Sequence, residues 1–149
     1  MDSGNIGFVL LCAAFVFVMT PGLAMFYGGL VRKKNVVNTM MTSIFIIGVG
    51  IVMWVLFGYS LSFAPSGNAF IGDFRWLGLE GVSLTEGYTD GASIPNMVFS
   101  AFQMMFAVIT PALITGAVAG RMKFKSIFVF TIFWSLIVYY PLAHMVWGQ

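Results

Sequence analysis

The chain has 149 residues, 60% of them hydrophobic and only 8% charged, and its seven basic and five acidic residues leave a net charge of +2. Soluble domains carry roughly a quarter of charged residues, so a water-soluble globule is excluded and the bilayer is the solvent that fits. The small, clustered positive charge excludes a nucleic-acid footprint, and the single Cys12 permits no internal disulfide.

The charges fall at Asp2, at 32–34, between 73 and 90 and at 121–125, leaving uncharged tracts over 3–31, 35–72, 91–120 and 126–149. Each tract exceeds the about 20 residues that cross ~30 Å of hydrocarbon. Four transmembrane helices are predicted, near 6–31, 36–63, 94–120 and 127–147, with a loop over 64–93. The first tract opens on Asp2 instead of a basic residue and is longer than a signal-peptide core, so it reads as a retained span, with Cys12 as a small packing residue inside it. Thr20 and Pro21 predict a kink there, and Gly28 and Gly29 allow close helix packing. Gly48 and Gly50 do the same in the second helix.

The 64–93 segment is rich in Gly, Ser and Pro, has no membrane-length apolar run and reads as an ordered or semi-ordered loop. In the third helix Phe102, Phe106, Ile109 and Leu113 recur at helical spacing as one stripe. Taken alone, such a stripe reads as core or lipid-facing surface before pore lining. Gln103 beside it needs a hydrogen-bond partner and so faces protein. Thr110 and Pro111 predict a second kink, and Ala112, Gly116 and Gly120 form a small-residue row for packing. Phe106 lies about 18 Å of helical rise from Ile94, near mid-bilayer. Leu23, Phe26, Tyr27 and Leu30 make a comparable row in the first helix.

In the fourth helix Trp147 occupies the position of an interfacial anchor, one turn after His144. His144 reads as a neutral histidine hydrogen-bonded inside the bundle, because one histidine cannot complete a haem site and no other metal-ligating residue shares its span. No catalytic triad, phosphate loop or pair of intramembrane carboxylates is present, which argues against an enzyme and against a metal or organic cofactor. Six of the seven basic residues (Arg32, Lys33, Lys34, Arg121, Lys123 and Lys125) lie in the two short connections. The positive-inside rule makes those loops cytoplasmic and puts the N-terminus and the 64–93 loop outside.

Three motifs, Pro21-Gly-Leu-Ala-Met-Phe-Tyr-Gly-Gly-Leu-Val-Arg-Lys-Lys-Asn-Val-Val-Asn38, Phe102-Gln-Met-Met-Phe-Ala-Val-Ile-Thr-Pro-Ala-Leu-Ile114 and Tyr140-Pro-Leu-Ala-His-Met-Val-Trp-Gly148, resemble the ammonium transporter family (Amt/Mep/Rh) in order and placement. The resemblance runs over almost all of residues 1–149 and agrees with an outside N-terminus. It implies an all-α, multi-pass protein of the cell membrane with eleven helices in two inverted halves, of which this chain supplies the first four. It further implies a homotrimer with one pore per subunit. The family's pore histidines and an acidic residue near its recruitment site would lie beyond residue 149, and His144 does not match a pore-histidine position.

Carried over residue by residue, Trp147 and Phe102 resemble aromatic walls of the outer recruitment site, Phe106 resembles a gate phenylalanine, and Leu23, Phe26, Tyr27, Ile109 and Leu113 would line the conduit. The implied function is passage of ammonium or ammonia, with methylammonium as analogue, through an apolar pore. An ammonium sensor with a fused or partner signalling domain is the alternative. A PII-family regulator is the partner implied for the cytoplasmic loops, which would equally attract anionic headgroups of the lipid bilayer.

Overall fold

The chain is described by a computed structural model covering residues 2–148. Four long apolar helices dominate it: α1 (Ser3–Leu30), α2 (Lys33–Phe63), α3 (Asn96–Val118) and α4 (Phe124–Trp147). Among the described residues no strand forms, and an isolated bridge pairs Gly87 with Pro95. Asp2 starts α1 by accepting the Gly4 amide on its carboxylate at 2.9 Å, and its own amide donates to the Ser93 carbonyl, which ties the start of α1 to the long loop. That end of the bundle is the outer one by the charge asymmetry.

Helix α3 stops at Val118, short of the expected residue 120, because Gly120 turns the chain at φ 70°. Gly120 therefore serves the turn and not the helix-packing row. Gly116 does pack: a Cβ there would strike the Tyr27 ring of α1. Gly50 of α2 meets Val108 of α3 in the same way, with a built Cβ 3.0 Å from its nearest side-chain atom. Gly29 and Gly48 face open space.

Helices α1, α2 and α3 pack on one another, and the outer end of α2 packs on the outer end of α4. Lipid-soluble helices gain little from apolar burial against each other, so polar links between them matter. Three join α2 to α3. The Ser43 and Thr115 hydroxyls lie 3.2 Å apart, the Trp54 indole donates to the Ser100 hydroxyl at 3.3 Å, and the Tyr59 hydroxyl donates to the Asn96 side-chain oxygen. The core changes character along the bundle: Ile46, Ala112 and Ile127 fill the inner half, whereas Trp54, Tyr59, Phe63 and Tyr140 fill the outer half.

Two single π-helical turns interrupt the spans, Trp54–Gly58 in α2 and Ser135–Tyr139 in α4. Each is a one-residue insertion into an α-helix. The first ends where α2 meets α4: Tyr140, the residue after the second turn, lays its ring on the bare backbone of Gly58, where a Cβ would be 2.7 Å from Cζ.

The long loop is ordered by the same outer core. The Ser60 hydroxyl donates to the Asp73 carbonyl at 2.6 Å and accepts the Trp76 amide at 3.1 Å. Trp76 stacks on Tyr59 with ring centroids 5.4 Å apart, and Tyr88 stacks on Phe99 at 4.7 Å. The Asn96 and Met97 amides, at the start of α3, donate to the Glu86 and Ser83 carbonyls.

Candidate outer vestibule and aromatic stripe

The stripe on α3 begins under the loop. Phe102 and Phe106, one turn apart and both half-buried, meet edge to face with centroids 5.1 Å apart. Aromatic pairs favour that geometry because the positive ring edge meets the negative face. Thr110 follows one turn later and donates to the Phe106 carbonyl at 2.6 Å, holding the backbone immediately before Pro111. Leu113 is about half exposed, and its carbonyl accepts the Tyr27 hydroxyl of α1 at 2.9 Å.

The expected lining residues separate into two groups. Phe26, Tyr27 and Leu113 present surface outside the bundle, with Phe26 and Tyr27 5.7 Å apart. Ile109 is buried among the helices and Leu23 packs against the inner core cluster.

At the outer end a cavity of about 420 Å³ is bounded by Tyr88, Thr89, Phe99, Gln103 and Trp147, with Ala92, Ser93 and Ile94 closing it. Trp147 is 54% exposed. The Tyr88 hydroxyl donates to the Trp147 carbonyl at 3.4 Å, joining the loop to the last turn of α4. Burial pushes the Tyr88 hydroxyl up to about 12, so it keeps its proton and its donor role across the neutral range. Phe102 and Phe106 are not among the residues bounding this cavity; on α3 its wall is Phe99 and Gln103. The sequence motifs point to Phe102 and Trp147 together and leave out Phe99 and Tyr88. An aromatic in a Gly-rich loop, such as Tyr88 after Gly87, is the one signal that pointed there.

His144 lies 4% exposed, with Nδ1 3.1 Å from the Ser62 carbonyl and Nε2 3.0 Å from the Asn68 carbonyl. It is a hydrogen-bonded histidine of the bundle. Among the described residues no three His, Cys, Asp or Glu side chains come together to hold a metal ion.

Known proteins resemble the chain along nearly its whole length. The family model described as Ammonium Transporter Family matches residues 7–149. An ammonium transporter of Bacillus subtilis strain 168 is 50% identical over 149 residues, covering 99% of this chain and 36% of the relative. One from Mycobacterium tuberculosis H37Rv is 42% identical over 161 residues, covering 99% of this chain and 34% of the relative. Among solved structures, Saccharomyces cerevisiae Mep2 superposes with a TM-score of 0.86 at 35% identity, over 99% of this chain and 35% of that one. Candida albicans Mep2 gives 0.86 at 29% identity, over 100% of this chain and 32% of that one. The chain thus spans about a third of the length of the relatives it matches.

Proposed function

The chain belongs to the ammonium transporter family, as a multi-pass membrane segment, and on that premise we propose that it forms the outer recruitment site and part of the apolar conduit of a protein that moves ammonium across the membrane. The observation that carries this reading is the cavity where Trp147, Tyr88, Phe99 and Gln103 converge at the outer end of α3. An ammonium ion shedding water there can rest on aromatic faces, an attraction of up to about 2 kcal/mol once desolvated. Gln103 supplies a side-chain carbonyl to accept an N–H. Phe102 and Phe106 continue the path inward, with Phe106 about 15 Å of helical rise below Asn96.

Aromatic attraction cannot take the ion to mid-bilayer, where a cation costs at least several kcal/mol. Below the Phe102 and Phe106 pair the species that passes is neutral ammonia, the proton being left or relayed separately. Trp147→Leu in the full-length protein tests the site. The substitution keeps an apolar side chain but removes the ring quadrupole, so apparent affinity for methylammonium should fall by up to about thirtyfold in concentration-dependent transport currents. Phe106→Ala should instead change the maximal rate. Unchanged affinity for Trp147→Leu at equal surface expression removes the vestibule from the mechanism.

The same reading takes the functional protein as a homotrimer with one pore per subunit, and the inner loops as the face that meets a PII-family regulator. Arg32, Lys33, Lys34, Arg121, Lys123 and Lys125 are all exposed there, which suits an acidic or nucleotide-carrying partner. A PII protein from the same organism should co-purify with the full-length protein under at least one nucleotide condition. Absence under all of them rejects that partner.

A further inference from the structure

Helix α4 ends without a capping side chain, and its last turn is anchored instead by a residue of its own core. The Gly148 amide closes on the His144 carbonyl at 2.7 Å. The His144 imidazole faces a carbonyl with each nitrogen: that of Ser62 at the end of α2 and that of Asn68 in the loop. The Ser66 hydroxyl lies 3.3 Å from Nε2. A neutral imidazole carries one N–H, on either of its two nitrogens according to the tautomer. Whichever nitrogen holds it, the ring has a backbone oxygen to donate to, so α4 stays tied to α2 or to the loop in both tautomers. The ring does not border the cavity that holds Trp147; it borders a separate one with Ser66, Asn68 and Gly148.

We infer that His144 is a positioning residue for recruitment: it fixes the outer turn of α4 so that Trp147, three residues on, presents its ring to the vestibule. The Tyr88 hydroxyl on the Trp147 carbonyl is the second restraint on the same turn. Without His144 the turn is held from the loop side alone and the indole loses its fixed place, while the conduit below it is untouched. This inference rests on the recruitment role proposed for Trp147.

The test is a double-mutant cycle on the full-length protein in proteoliposomes, with methylammonium-evoked current as the readout at equal protein incorporation. His144→Leu should raise the half-saturating concentration several-fold, within the roughly thirtyfold ceiling of Trp147→Leu, and leave the maximal current unchanged. In a Trp147→Leu background the same substitution should add nothing further. His144→Gln, which retains one donor at similar volume, should lie between wild type and His144→Leu; it carries the test if the leucine variant does not incorporate. A half-saturating concentration that does not move, a loss confined to maximal current, or a full additional shift in the Trp147→Leu background each overturns the inference. If Trp147→Leu itself leaves affinity unchanged, the recruitment reading fails and this one with it. If Trp147→Leu shifts affinity and both His144 variants do not, only the positioning role is lost.

Discussion

Gly58→Ala is expected to destabilise the full-length protein by about 1–3 kcal/mol, although it adds a single methyl group to a helix. The added carbon would stand 2.7 Å from Cζ, 2.8 Å from Cε1 and 2.9 Å from the hydroxyl of Tyr140. Tyr140 cannot swing clear. It is 1% exposed, with Trp54 at 6.0 Å and Tyr139 at 5.9 Å edge-on against it. The contact also joins α2 to α4, so strain at Gly58 reaches both spans. Gly116→Ala is the informative contrast. Its methyl group strikes the Tyr27 ring, but Tyr27 is only half-buried and can rotate outward, losing one hydrogen bond to Leu113 worth about 1 kcal/mol. Gly48→Ala faces open space and should cost nothing measurable. Unfolding midpoints of the three variants in one detergent give the order, and a Gly58→Ala protein as stable as Gly48→Ala would rule out the close packing of Gly58 on Tyr140.

Asn96→Leu should cost about 1–3 kcal/mol for a different reason. Asn96 is 4% exposed and accepts the hydroxyl of Tyr59, which is fully buried. Leucine fills the space and strands that buried hydroxyl beside Trp54, Phe63 and Trp76 without its acceptor. Tyr59→Phe in the Asn96→Leu background removes the stranded group and should return most of the lost stability. Thermal or denaturant unfolding of both proteins decides it. A double variant no more stable than Asn96→Leu would show that shape, and not the unpaired hydroxyl, set the cost.

These two sites mark where the sequence was and was not legible. The number of spans follows from charge placement, because a charge within hydrocarbon is too costly to leave to chance and Arg32, Asp73, Asp90 and Arg121 bound the uncharged tracts that hold the helices. Which side of each helix faces inward does not follow, since all four are apolar around their whole circumference. The Phe102 and Phe106 pair was readable because helical spacing puts residues four apart in contact on the same helix. Gly58 against Tyr140, and Tyr88 against Phe99 and Trp147, were not, because they join residues far apart in the chain. The vestibule wall accordingly includes Phe99 and Gln103, three positions before and one position after the Phe102 of the motif.

The paired π turns carry a consequence for how relatives of this chain are compared. Each π turn holds one residue more than an α-helix needs, and each residue turns a helix by about 100°. A relative with one residue fewer within 135–139 would keep a continuous span and its hydropathy, yet present the whole segment after it, His144 and Trp147 included, on a rotated face. A one-residue gap falling inside 54–58 or 135–139 is therefore a change of phase and not of length. Motif matches on its far side keep their letters but lose their geometry, unless the neighbouring span drops a residue in step.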